Sequence, residues 1–563
     1  MFRPTDPQGK LFSSFNLLST RQETRLSKTW AHTFREKALP LIHEKPFADM
    51  YHKSQGAPNK PIRQMVGFLI LKDMFDYTDE QALDAALFDV RWQVALDLDP
   101  TTAYCSQKTV HNFRVKLIEH QKGLLLFQDI TQRIIEALGL STDKQRLDST
   151  HIRSNMAELT RLGICCETIR LFLKELKRYE TNLYERVPET LRKRYLKDDQ
   201  SRTRYEDVKR GEAKRRLPVA GRDLYRLRQL FENEASLHER ESVQLLIRVL
   251  DEQFEIVDDP RPPSEGDADA GEEAIPIEPK KQSPSDSLQS PHEPDATYGV
   301  KGSGYEAQIA ETHGNKTEED PKPEMITHAR VSDSCDSDIH ETMPAINELA
   351  ERGIQPKELQ TDANFTSSEV VLDAEEKGTE IVGPVKGGEG LLPGPEDITI
   401  DDFQFDKNDL SQTRCPNGKS PIEQIYDPET GKLKVFFDEN DCQACPQAER
   451  CPAKPSKSPK PETPRRFIST DIFEHKLEQR RRVQTTDVFK KRYAIRAGVE
   501  ATNSELKRTH GMGRLRVRRR KRVELAVFLK VLACNVKRFV GYHVEKFRVA
   551  CRDGMPTATA MST

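Results

Sequence analysis

The stretch "YAIRAGVEATNSELK", residues 493–507, places one Tyr, one Arg, one Glu and one Lys at gaps of three, four and seven. On an α-helix each residue advances about 100°. Measured from Tyr493, Arg496 falls at about 300°, Glu500 at about 340° and Lys507 at about 320°. All four project from one narrow face. An Arg496–Glu500 ion pair at i, i+4 accounts for two of them and contributes roughly a few tenths of a kcal/mol. It leaves Lys507, two turns beyond Glu500, without a role.

Such a face needs something to meet, and two short strand-like segments supply carboxylates. "KQRLDSTHIRSNM" carries Asp148 among apolar Leu147, β-branched Thr150 and Ile152. "ELQTDANF" carries Asp362 at its end. Taken singly, each Asp reads as a turn or cap residue. At strand ends of an α/β sheet, where functional groups collect, two carboxylates suit a hard divalent cation, with Glu500 on a facing helix as a third. Two such ions about 3.5–4 Å apart can activate an attacking oxygen and stabilise a leaving one at a phosphodiester. Asp143 is a competitor for the place given to Asp148.

The rest of the chain is consistent with a polyanion partner. Its 563 residues are enough for two to four domains, and 32% are charged against 36% hydrophobic. The formal net charge of −3 hides an asymmetry. Residues 464–553 hold 25 Lys/Arg against 9 Asp/Glu, a block that attracts nucleic acid or forms a solvated basic surface. "MFRPTDPQGKLF" lacks the apolar core of a secretory signal. The longest apolar run, "VELAVFLKVLACNV", is broken by Glu524 and Lys530 and falls short of the roughly 18 residues of a membrane span. Ten Cys in so long a chain do not make a secreted disulfide scaffold. These features lead us to expect a soluble cytoplasmic protein with reduced thiols and no membrane partner.

Along the chain, residues 1–140 read as helical, with Thr78 and Gln81 forming a capping box. They suit a DNA-binding unit or a plain helical bundle. Residues 141–155 are the first strand of a core. Residues 156–256 return to long amphipathic helices, an insertion. Residues 257–296 are rich in Pro, Ser and acid and read as a disordered linker. Residues 297–387 alternate strand and helix signals and continue the core. Residues 388–462 are irregular and hold Cys415, Cys442, Cys445 and Cys451. Residues 463–553 are basic and helical, and 554–563 form a disordered tail.

With every gap intact, Tyr493, Arg496, Glu500 and Lys507 match the Y-x2-R-x3-E-x6-K signature of a large group of bacterial insertion-sequence transposases of the DDE type. The chain resembles members with an N-terminal helical domain and a Cys-bearing insertion before the final Glu. The likeness extends through "RQMVGFLILKDMFDYTDEQALDAALFDVRWQVALDL", "LDSTHIRSN" and "TDANFTS". The second-Asp segment departs from the family, where Tyr often stands in the position of Phe365.

The resemblance implies an α/β, ribonuclease-H-like catalytic core with a mixed sheet, preceded by an all-α domain and interrupted by a helical and a Cys-containing insertion. It implies that Asp148, Asp362 and Glu500 form the catalytic, metal-binding triad for two Mg²⁺ or Mn²⁺ ions. It implies that Tyr493, Arg496 and Lys507 grip the transposon end. Metal-dependent cleavage at the insertion-sequence ends, then strand transfer into target DNA, is the implied activity. A homodimer or higher oligomer on DNA, associated with the bacterial nucleoid, is the implied assembly. The basic "GRLRVRRRKR" run, with Arg514, Arg516, Arg518, Arg519 and Arg520, is expected to bind DNA backbone in a salt-dependent way. Two alternatives stand beside this: a non-catalytic DNA-binding relative, and a metal-dependent nuclease without strand transfer.

The four cysteines of "RCPNG…DCQACPQAERC" include one CxxC step, a zinc-chelating spacing, with Cys415 standing apart. They read either as a structural Zn²⁺ site or as free thiols. Cys165 and Cys166 lie in an amphipathic helix and read as packing residues. His111, His151 and His510 have no partner at ligand spacing, and "GPVKGGEGLLPGP" lacks the Lys-Ser/Thr ending of a phosphate loop.

Overall fold

Leu147 and Ile152, five positions apart on one strand, point to opposite faces and enter two different cores. The strand between them is therefore buried on both sides, as a central strand must be. In this computed structural model the described residues are 1–4, 18–99, 105–156, 158–196, 210–258, 275–387, 392–394, 396–456 and 464–552. The strands among them are β1 (Lys144–Ile152), β2 (Phe254–Ile256), β3 (Ile277–Pro279), β4 (Thr297–Gly299), β5 (Gly302–Thr312), β6 (Ile326–Asp333), β7 (Glu358–Gln360), β8 (Glu380–Val382), β9 (Glu423–Asp427), β10 (Lys432–Asp438), β11 (Lys454–Pro455) and β12 (Arg465–Thr470).

The main sheet runs β6-β5-β1-β7-β8, with β4 also paired to β5. β5 is antiparallel to both β1 and β6, and Asp148 sits opposite Ile309. β7 is parallel to β1, and β8 to β7. One face is covered by the helices Ile339–Glu351 and Ser368–Glu376, which enclose Leu147, Ile346, Leu359, Phe365 and Val371.

The other face meets the long helix Arg520–Arg552 and the helix Lys122–Leu138, and the helix Ile62–Met74 packs on the long helix within the same core. Buried Asn535 fastens the long helix to β6. It accepts the Ile326 N–H at 2.9 Å and donates to the Ile326 carbonyl at 2.8 Å. The N-terminal helices therefore share one core with the sheet and do not form a self-contained module. The reason lies in the helix Ile62–Met74, whose buried set includes Ile62, Val66, Leu69, Ile70 and Leu71 and so leaves little polar surface.

The helical insertion has its own core, built from the helices Arg161–Tyr179, Arg210–Phe231 and Glu241–Gln253, with Cys165 and Cys166 buried in it. This core overturns part of the linker expectation for 257–296. Ile277 and Leu288 are buried in it, and Glu293 is fully buried farther along. Glu293 accepts the Tyr305 hydroxyl at 2.6 Å and the Arg519 N–H at 2.7 Å. A few anchors outweigh a composition of Pro, Ser and acid. Residues 259–274 and the tail 554–563 lie outside the described residues.

The Cys-bearing segment is also more regular than expected. β11-β12-β10-β9 form an all-antiparallel sheet around Phe403, Leu433, Val435, Phe437 and Ile468. Among the described residues, no helix is long and apolar enough to cross a membrane.

Candidate active site

The last paired residues of β1 and β7 are Arg146 and Gln360. Asp148 and Asp362 each lie two residues beyond that pair, so parallel register alone sets the two carboxylates side by side. Asp362 is fixed further as the cap of the turn Ala363–Phe365, accepting the Asn364 N–H at 2.7 Å. Phe365, where the family often has Tyr, is fully buried in the core beneath.

Glu500 arrives on the helix Ala497–Arg508, which packs against β1. Arg496, immediately before that helix, joins all three carboxylates. Its guanidinium lies 2.8 Å from Asp148, 3.8 Å from Asp362 and 3.3 Å from Glu500. Asn503, one turn along, donates to the other Asp148 oxygen at 3.0 Å. Asn503 escaped the sequence reading. Its three-residue offset from Glu500 on the same helix was the available signal.

Burial pushes the Asp148 carboxyl up to about 6, Arg496 opposes the rise, and neighbouring Asp362 adds to it. For Arg496, burial works against the charge. Asp148, Tyr493, Asp362 and Glu500 outweigh it and hold the guanidinium above its ordinary value. Burial and Lys301 lower the Lys507 ammonium, while Glu306 and Asp148 support its charge. Burial raises the Tyr493 hydroxyl, Arg496 opposes, and the three carboxylates add to the rise. Tyr493 also stacks on Phe489 with ring centroids 5.6 Å apart. All four residues of the 493–507 stretch thus feel the same cluster of charge.

They do so from two helices instead of one. The helix Asp487–Ala494 ends at Ile495, and Ala497–Arg508 begins after Arg496. The join is tightened by i→i−3 bonds, Arg496 N–H to Tyr493 O at 2.9 Å and Gly498 N–H to Ile495 O at 3.2 Å. A buried network holds the join. Arg146 donates to the Ile495 carbonyl at 2.9 Å and pairs with fully buried Glu311 at 2.7 Å. Glu311 also binds Thr502 at 2.7 Å and Arg538 at 3.1 Å. A Cβ at position 498 would stand 1.9 Å from the Arg146 guanidinium, so Gly498 makes the passage for it.

The basic run lies elsewhere and is partly neutralised. Arg516 pairs with Asp76 at 3.1 Å, Arg519 with Glu241, and Arg520 with Asp333 and Glu524. Arg518 donates to the Asn155 carbonyl. Exposed Arg514 lines a cavity of about 210 Å³ with Lys72, His111, Arg114 and Arg522. Asp143 is exposed and pairs with Lys357 at 3.0 Å, apart from the carboxylate site. His510 is buried and donates to the Asp73 carbonyl at 2.9 Å. His151 pairs with Glu306 at 3.2 Å.

Two family models match this chain. One, described as a transposase DDE domain, covers residues 414–540 and so includes Arg496, Glu500 and Lys507 but neither aspartate. The other, described as Transposase domain (DUF772), covers residues 28–116, the N-terminal helices. Neither the curated proteins nor the solved structures give a match. At opposite ends of the chain, both matched segments are thus similar to domains of transposases.

Proposed function

We propose that this chain cleaves DNA at the ends of an insertion sequence and joins the freed ends to target DNA, with Asp148, Asp362 and Glu500 as its metal-binding triad. The observation that carries the proposal is the gathering of three carboxylates, distant in the chain, around one guanidinium beyond adjacent parallel strands. A ribonuclease-H-like core is supported by the sheet order. Numbered in chain sequence, β1, β5, β6, β7 and β8 lie in the order 3-2-1-4-5, with the second strand antiparallel to the first. Membership of the Tyr-Arg-Glu-Lys group is supported by the intact quartet.

The donor set fits Mg²⁺ or Mn²⁺, since it offers carboxylate oxygens only and already attracts a cationic stand-in in Arg496. Bound there, two such ions supply Lewis-acid activation of the attacking oxygen and stabilisation of the leaving oxygen. Asp148 and Asp362 would hold the cations from the strand side and Glu500 from the helix side. Asn503 keeps Asp148 oriented and favours its charged form. Arg496, released from the carboxylates, and Lys507 meet the phosphates of the transposon end, and Tyr493 stacks or donates beside them. Exposed Arg514 and the neighbouring basic run add backbone contacts whose strength falls as salt rises. The working form is a homodimer or higher assembly on paired ends, acting on DNA in the cytoplasm.

The test is one incubation with Mg²⁺, DNA carrying the inverted repeats that flank the coding gene, and a target plasmid. Joined products support the transposase. Nicking without joining identifies a nuclease, and a mobility shift without cleavage identifies a DNA-binding relative. Either of the last two outcomes overturns the proposal.

A further inference from the structure

Cys415 comes from a tight turn, Cys442 from the short helix Glu439–Gln443 and Cys445 and Cys451 from the residues after it, yet all four line one small cavity beside the β9–β12 sheet. Phe403, Phe437 and Ile398 close its apolar side. Two of the sulfurs already accept backbone hydrogen bonds. Lys419 N–H donates to Cys415 Sγ at 3.3 Å, and Gln447 N–H donates to Cys445 Sγ at 3.4 Å. The first of these closes a tight turn in which Gly418 takes φ +74°. Amide donors aimed at sulfur are the outer partners that favour a thiolate ligand. None of the four cysteines is in a disulfide.

We infer that these four cysteines form a structural zinc site that ties the Cys-bearing insertion together. The cavity, about 30 Å³, has room for a single ion. A four-thiolate donor set selects zinc over the hard cations suited to the carboxylate site. A thiol must lose its proton to ligate zinc, so zinc affinity would increase with pH.

No three of the four sulfurs lie mutually within 4.8 Å. Coordination at about 2.3 Å requires the turns to close on the ion. Glu505, His510 and Cys534 are set closer, with ligand atoms within 4.8 Å of one another. That cluster already contains its cation, because Arg538 pairs with Glu505 at 2.9 Å.

The site also bears on the rest of the molecule. Asp401 and Asp402, in the same insertion, pair with His475 and Arg482 on the helix Ile472–Thr485. That helix leads into Asp487–Ala494 and the Glu500 segment. Zinc would therefore steady the approach to the carboxylate site without taking part in its chemistry.

The inference is independent of the proposed activity. The full-length protein, purified without a metal-chelating tag, reconstituted with zinc chloride and dialysed, is assayed for zinc by mass spectrometry. One zinc per chain is expected, unchanged in Asp148→Asn and Cys335→Ser and absent in Cys442→Ser and Cys445→Ser. Should the serine variants fail to fold, cobalt exchange of the unaltered protein decides. Thiolate-to-cobalt charge-transfer bands with tetrahedral visible bands support the site. Cobalt bound without thiolate bands overturns it, as does zinc-free unaltered protein or full zinc in Cys442→Ser.

Discussion

The two clusters of ligand-type side chains in this molecule are assembled in opposite ways. The carboxylate cluster is global: Arg496 reaches Asp148 across 348 residues, and each donor sits on a different element of the main core. The cysteine cluster is local, contained in one small insertion between Cys415 and Cys451. In the first, the fold supplies the geometry and a protein cation fills the centre. In the second, four thiols line a small cavity within one insertion, where the inferred zinc would join them. A global site should fail when the core is disturbed, and a local site should survive.

The largest expected effect tests that contrast. Glu311→Ala leaves Arg146 and Arg538 without their shared buried carboxylate, and should cost about 3–5 kcal/mol in urea unfolding. Zinc content should stay at one per chain. Parallel loss of zinc would show that the two regions are not separable.

Next is Arg496→Ala. This removes the cation that competes for Asp148, Asp362 and Glu500, so Mn²⁺ affinity, read by electron paramagnetic resonance above pH 8, should rise about tenfold, or about 1.4 kcal/mol. Under the proposed function end cleavage should still fall, because the same side chain would be needed on DNA. Unchanged Mn²⁺ affinity would break the stand-in account.

A pH effect of similar size follows from Asp148. Its folded-state pKa, about 6, lies above the ordinary carboxylate value. In the metal-free protein, the stabilisation from its protonated form is complete below pH about 4 and is lost as pH rises through 6. Under the proposed function metal binding and cleavage would need the charged form, so both should grow over the rise through pH 6. Asn503→Ala deletes a hydrogen bond to that charged form and should move the low-pH limb upward by about one unit. An unmoved limb would assign the titration to another group.

The smallest effect is expected at Asp143, whose exposed pair with Lys357 is worth about 0–1 kcal/mol. Asp143→Asn should leave both cleavage and the urea midpoint within error of the unaltered protein.

Asp148, Asp362 and Glu500, which the structure gathers around Arg496, could be singled out as candidates from sequence because strand ends, helix spacing and an intact signature leave local traces. The network behind them could not. Arg146, Glu311 and Arg538 look like ordinary surface charges until β1, β5 and the long C-terminal helix are brought together. The break at Ile495 was hidden for a related reason: no Pro marks it, and the turn is held by Arg146 from a distant strand. Amphipathic patterning showed that the N-terminal segment is helical but not that its apolar surface belongs to the core of the sheet. The insertion sheet, by contrast, had a readable trace in "KLKVFFD", where Leu433, Val435 and Phe437 alternate into the core.

The most direct test of the central claim is Mg²⁺-dependent cleavage of an inverted-repeat end by Asp148→Asn, Asp362→Asn and Glu500→Gln, with end binding measured on the same preparations. The account predicts that each variant binds the end as the unaltered protein does and cuts it at least about 1,000-fold more slowly, a barrier increase of about 4 kcal/mol. Cleavage at the unaltered rate by any one of the three, with binding intact, would contradict it.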